Sequence, residues 1–83
     1  MTCAAAVQSD TIWLQLKDYD VLPLNAKLSA RIPELSNALR RGVAACADDS
    51  RENFFDVELK EGFAYIHVHD PARTAYLVAY RPN

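Results

Sequence analysis

Residues 53–80 read NFFDVELKEGFAYIHVHDPARTAYLVAY and alternate apolar and polar side chains through three segments separated by two turn sequences. An alternation with period two is typical of strands that bury one face. Glu61-Gly62 can form a two-residue turn, because Gly accepts positive φ, and the run 70–73 (DPAR) has the composition of a β-turn. The stretch therefore predicts a three-stranded antiparallel meander.

The two turns also predict a register. A two-residue loop pairs Lys60 with Phe63, and a four-residue loop pairs His69 with Thr74. Every inward pair is then apolar: Leu59–Ala64, Val57–Ile66, Phe55–Val68, Val68–Ala75, Ile66–Leu77 and Ala64–Ala79. The outward side chains fall into three rows, Asp56–His67–Tyr76, Glu58–Tyr65–Val78 and Lys60–Phe63–Tyr80. Agreement between the turns and the alternation indicates one buried and one uncovered sheet face.

A first strand and a helix are predicted before the meander. Residues 11–17 (TIWLQLK) alternate and indicate a half-buried strand, whereas Pro23 argues against a strand in the region that follows. A helical stripe with spacings of three and four consists of Leu28, Ile32, Leu35, Leu39, Val43 and Cys46. Pro33 suits the first turn of this helix, Gly42 lies inside it, and Asp48-Asp49-Ser50 ends it.

These elements predict an α+β fold with the order β-α-β-β-β in two layers. One amphipathic helix packs on one face of a four-stranded, mixed but mostly antiparallel sheet. The first strand is expected at a sheet edge, parallel to its neighbour, and either the second or the fourth strand can be that neighbour. Residues 1–10 are expected to form a flexible tail, and residues 11–83 a single domain.

Length and composition restrict the class of protein. The chain has 83 residues, of which 51% are hydrophobic and 24% charged, which is typical of one globular domain. Net charge is −2 and the nine basic residues are scattered, so nucleic-acid binding is disfavoured. No apolar run approaches the roughly 18 residues of a membrane span.

The cysteines and the first residues favour a cytoplasmic protein. Cys3 lies in the predicted tail and Cys46 on the predicted helix, where a small buried hydrophobe rather than a disulfide is expected. Residues 1–10 (MTCAAAVQSD) lack the basic segment and long apolar run of a secretory signal. Together these features predict a reducing compartment.

The uncovered sheet face carries the functional prediction. It concentrates aromatic side chains, which are enriched at protein interfaces. We expect it to bind a protein partner, in the first instance a second copy of the chain, as a homodimer. The predicted contact residues are Trp13, Phe54, Tyr65, His67, Tyr76 and Tyr80. Cross-strand packing with no partner explains the same aromatic residues, because aromatics favour strands.

Two other classes of function stay open. An acidic inhibitor, immunity or antitoxin-like protein could use the acids at 18/20, 48/49 and 56/58 to mask a basic site on an enzyme. A small enzyme or metal protein could use Asp56, His67 and His69. An enzyme is the less expected class because a flat sheet face is not a pocket. The sequence contains no cofactor motif and predicts no cofactor.

Overall fold

The computed structural model describes residues 11–82, which form one helical layer on one face of a six-stranded sheet. The strands are β1 (Thr11–Leu14), β2 (Asp20–Pro23), β3 (Val43–Ala47), β4 (Phe54–Leu59), β5 (Gly62–His69) and β6 (Thr74–Pro82). A 3-10 helix (Ala26–Arg31) leads into α1 (Ile32–Arg41), and a 3-10 turn (Asp70–Ala72) joins β5 to β6. The predicted tail, residues 1–10, lies outside the described residues.

The sheet order is β1-β3-β4-β5-β6-β2. All neighbouring strands are antiparallel except β2 and β6, which run parallel. The fold is therefore α+β with one α-helix and a mixed sheet, as predicted, but it has six strands rather than four. The first strand does lie at an edge. Its neighbour is β3 and the pairing is antiparallel, whereas the prediction was a parallel pairing with the second or fourth predicted strand, which are β4 and β6 of the structure. Both expected partners and the parallel pairing are therefore wrong.

The predicted helix extends too far along the chain, because its last predicted residues form a strand. Helix α1 ends at Arg41, Gly42 takes φ +98°, and Val43 and Cys46 lie on β3. The φ angle of Gly42 is one that side-chain-bearing residues rarely adopt, so the chain leaves the helix there and turns back along the sheet. The apolar residues Val43 and Cys46, whose spacing predicted a longer helix, belong to a strand.

Pro23 lies in a strand, contrary to the prediction. Strand β2 is an edge strand, and the amides of Asp20 and Leu24 donate to Arg73 and Leu77 of the segment that ends in β6. Successive backbone nitrogens of a strand point to opposite edges. The nitrogen of Pro23 therefore points to the free edge of β2, where the missing amide hydrogen breaks no hydrogen bond of the sheet.

The core lies between α1 and the sheet. Leu35 and Leu39 are four residues apart on one helix face and are fully buried. They pack against buried side chains of the four central strands: Ala45, Val57, Leu59, Ala64, Ile66, Val68, Ala75 and Leu77. None of the helices in residues 11–82 is both long and apolar enough to cross a membrane.

The predicted meander is present, but its first register is displaced by two residues. Leu59 pairs with Gly62 across a tight turn at Lys60 and Glu61, so Val57 faces Ala64 and Phe55 faces Ile66. A shift of two keeps every side chain on its predicted face. The second register is as predicted from His69–Thr74 to Ile66–Leu77.

Candidate interaction surface

The outer face is the side of the sheet opposite α1, and its side chains fall into rows set by the observed pairing. The first row is Phe54, His67, Tyr76 and Leu22. The second row is Thr11, Cys46, Asp56, Tyr65 and Ala79. The third row is Trp13, Ala44, Glu58, Phe63 and Arg81.

Four aromatic or imidazole rings of the outer face form one cluster. The rings of Phe54 and His67 stack with centroids 4.3 Å apart and planes 9° apart. Tyr65 lies 5.5 Å from Phe54, and Tyr76 lies 6.4 Å from His67, measured between ring centroids. Each ring is half-buried. The four form what we call the ring cluster, and all four were predicted contact residues.

The margins of the outer face are more exposed than the ring cluster. Trp13 on β1 is 69% exposed and Leu22 on β2 is 47% exposed. Trp13 lies on the predicted face, but β3 and β4 separate it from the cluster. Leu22 pairs with Tyr76 and extends the first row to the edge strand. The sequence prediction missed Leu22 because β2 was not recognised as a strand.

Tyr80 is not on the outer face, so its predicted position there is wrong, and its prediction as a contact residue depended on that position. The pairing of β5 with β6 shifts after Ile66–Leu77, so that Tyr65 faces Ala79 and Ala64 faces Tyr80. This bulge leaves one extra residue on β6 and turns Tyr80 toward the helix side. There its ring packs against the core and the guanidinium of Arg31 lies 4.2 Å from the ring centroid.

The hydroxyl of Tyr80 is buried and has no hydrogen-bond partner among residues 11–82. A buried donor without a partner loses its hydration and gains nothing in return. We therefore expect Tyr80→Phe to raise the free energy of unfolding by about 1 kcal/mol in urea denaturation. Phenylalanine keeps the ring under Arg31 and the packing against the core. Tyr76→Phe is the control, because Tyr76 is half-exposed on the outer face. A loss of stability for Tyr80→Phe would mean that the hydroxyl does have a partner in solution.

The loop between β3 and β4 contacts the ring cluster through a hydrogen bond and a cation–ring contact. The carboxylate of Asp48 accepts hydrogen bonds from the hydroxyl of Tyr65, from the backbone amide of Ser50 at 2.9 Å and from its hydroxyl at 2.8 Å. The bond from Tyr65 is the largest cause that lowers the pKa of Asp48 to about 2. Burial, followed by the bond to Asp48, raises the pKa of Tyr65. From the same loop, the guanidinium of Arg51 lies 5.1 Å from the ring centroid of Phe54.

Asp56 lies near the centre of the outer face, between Cys46 on β3 and Tyr65 on β5. Burial raises the pKa of its carboxyl group, and the charge of Arg81 partly offsets that rise. Within residues 11–82 its carboxylate takes part in neither a hydrogen bond nor an ion pair. A half-buried carboxylate of this kind depends on water for its hydrogen bonds.

The predicted row Asp56–His67–Tyr76 does not form. Because of the register shift, Asp56 lies opposite Tyr65, and His67 lies between Phe54 and Tyr76. The ring centroids of His67 and His69 are 6.3 Å apart. The described part of the chain brings no three His, Cys, Asp or Glu residues together in a group that could hold a metal ion. The geometry on which the metal and acid–base hypotheses depended is therefore absent.

Cys46 was predicted to lie on the helix, but this prediction is wrong, because Cys46 is buried on β3. It forms a disulfide bond, so the expectation of a thiol at this position is wrong. This finding removes one of the reasons for expecting a reducing compartment. The predicted tail that contains Cys3 lies outside the described residues.

Comparisons with protein-family models, with curated proteins and with solved structures found no match for this chain.

Proposed function

We propose that this protein is a small protein-interaction module whose outer face binds a second copy of the chain. The observation that carries this proposal is the first row, in which the half-buried rings of Phe54, His67 and Tyr76 continue into the exposed side chain of Leu22. Covering this row would bury aromatic and aliphatic surface on the side of the sheet that α1 leaves uncovered.

The charges on the outer face favour a second copy over an unlike partner. The face carries both signs, with Asp56 and Glu58 on β4 and Arg81 on β6. A strongly charged partner of either sign would meet repulsion from one of these groups, whereas a self-complementary arrangement can match each charge with its opposite. Two-fold symmetric dimers are also the commonest assemblies of soluble proteins.

Sedimentation velocity over a concentration series tests this proposal, with Leu22→Glu as the disrupting variant. Leu22 is 47% exposed on β2, so glutamate is tolerated in the protomer, but a dimer interface there would have to bury its charge. We expect the dissociation constant to rise by at least about tenfold. Ile12→Glu is the matched control. Ile12 is 42% exposed on the other edge strand and faces the helix side of the sheet. The dimer dissociation constant of the Ile12→Glu variant should therefore equal that of the wild type.

A wild-type protein that stays monomeric at high micromolar concentration would contradict the proposal. In that case the acidic-inhibitor hypothesis gains weight, and loss of binding to a basic partner at high ionic strength would be its signature. Equal effects of Leu22→Glu and Ile12→Glu would instead mean that the copies do not meet through the outer face.

A further inference from the structure

Two opposite charges on the outer face, Asp56 and Arg81, form no ion pair within residues 11–82, although the charge of Arg81 partly offsets the rise that burial causes in the pKa of the Asp56 carboxyl. Asp56 has neither a hydrogen bond nor an ion pair there, and the only ion pairs of residues 11–82 join Arg31 to Glu34 and to Glu61. Arg81 lies over the ring of Phe63, 5.5 Å from its centroid, and none of the carboxylates in the described part of the chain forms an ion pair with it. Both groups are therefore available to a partner that covers the face.

The other arginine of this surface is already engaged. Arg51 lies over Phe54, and its charge also acts on the carboxylate of Asp48, which holds the β3–β4 loop through Ser50. Moving Arg51 to a partner would give up these contacts. Arg81 is on a strand of the sheet and gives up the contact with Phe63, while its charge acts on the Asp56 carboxyl of its own chain without an ion pair among residues 11–82.

A partner that covers the outer face also removes water from Asp56. A carboxylate that loses its water without gaining a cation opposes association, whereas a hydrogen-bonded guanidinium offsets that cost. A second copy brings its own Arg81. In a two-fold symmetric dimer, a contact from one copy to the other is repeated in the opposite direction, so both carboxylates are satisfied by one arrangement.

We propose that Asp56 of each protomer pairs with Arg81 of the second copy across the outer face. This inference rests on the proposed self-association and names the charge contact that fixes how the two copies are arranged. The requirement for a matching cation excludes arrangements in which the two central carboxylates face each other.

A charge exchange between two variants tests the pairing. In Asp56→Arg alone, both positions are positive, and in Arg81→Asp alone, both are negative, so each homodimer would bring like charges together. We expect the dissociation constant of each variant to rise by at least about a hundredfold, roughly tenfold for each of the two contacts. An equimolar mixture of the two variants should recover a dissociation constant close to that of the wild type, because both contacts of the mixed dimer join opposite charges.

Sedimentation velocity gives the dissociation constants, and far-UV circular dichroism checks that each variant is folded. Asp56→Asn provides a milder variant that keeps the shape of the side chain. If Asp56 is paired across the interface, Asp56→Asn weakens association, whereas if the carboxylate is buried there without a cation, it strengthens association and overturns the pairing.

The controls separate this pairing from its alternatives. In a mixture of Asp56→Arg with Arg51→Asp, Asp56→Arg should stay monomeric while Arg51→Asp, which keeps Asp56 and Arg81, forms dimers with itself. Entry of Asp56→Arg into a mixed dimer with Arg51→Asp would assign the cation to Arg51 instead. A wild-type monomer would overturn the proposed self-association itself. A wild-type dimer that persists in both Asp56→Arg and Arg81→Asp would overturn only the pairing and leave the self-association in place.

Discussion

Leu39→Ala is expected to lower the free energy of unfolding by about 2–5 kcal/mol. Leu39 is fully buried on α1, where it packs against the sheet, and its backbone carbonyl accepts a hydrogen bond of 2.7 Å from the amide of Leu16. Alanine keeps that backbone bond but leaves a cavity between the helix and the sheet. Whole domains of this size are stable by only about 4–12 kcal/mol, so this one side chain decides a large part of the total.

Urea denaturation followed by circular dichroism measures this loss. The protein concentration must be the same for every variant, because self-association would add to the apparent stability. Leu24→Ala is the control, since Leu24 is 64% exposed and should change the free energy of unfolding by less than about 0.5 kcal/mol. A loss below about 1 kcal/mol for Leu39→Ala would mean that α1 is not packed on the sheet as described.

The meander could be predicted because period-two alternation and turn residues act locally and agree with each other. The register displacement could not be predicted from the same pattern. With Phe55, Val57 and Leu59 on one face, a slip of two residues still places apolar opposite apolar. In the observed register Gly62 is buried where a side chain would meet the backbone oxygen of Arg81, so this register requires glycine at residue 62.

The position of Tyr80 depends on a bulge, and β5 and β6 alternate without a break in the sequence that would indicate one. The alternation of β6 predicted the outer face for Tyr80, whereas one unpaired residue after Leu77 moved it to the helix side. The positions of Phe54, Tyr65, His67 and Tyr76 on the outer face were therefore predicted correctly, where the alternation is uninterrupted. The position predicted for Tyr80, beyond the bulge, was wrong.

The end of the helix could have been predicted. Two basic residues, Arg40 and Arg41, occupy the last turn of α1, and Gly42 follows them directly. Basic residues followed by glycine are a signature of a helix C-terminus. The apolar side chains of Val43 and Cys46 continued the helical spacing and concealed this signal. A short strand of alanines and small apolar residues fits either period, so the glycine was the more informative residue.

Gly42→Ala distinguishes the two interpretations by the sign of its effect. If the helix continued through residue 42, as the spacing suggested, alanine would stabilise the protein by about 1 kcal/mol. With φ at +98° and ψ at 135°, an alanine is strained, and we expect a loss of about 1–3 kcal/mol from the backbone. A Cβ atom there would also lie 2.4 Å from Nε1 of Trp13, so the ring would have to move.

The Trp13→Ala background separates these two causes. Trp13 is 69% exposed, so its own truncation should cost little, and it removes the atoms that the new Cβ would meet. We expect Gly42→Ala to cost less in that background than in the wild type, while the backbone part of about 1–3 kcal/mol remains. Urea denaturation of the four proteins in this double-mutant cycle measures both parts. A stabilising effect of Gly42→Ala in either background would mean that α1 continues past Arg41 and that β3 does not lie between β1 and β4. Because β3 carries Cys46 beside Asp56, the outer face would then lose the strand that borders its central carboxylate.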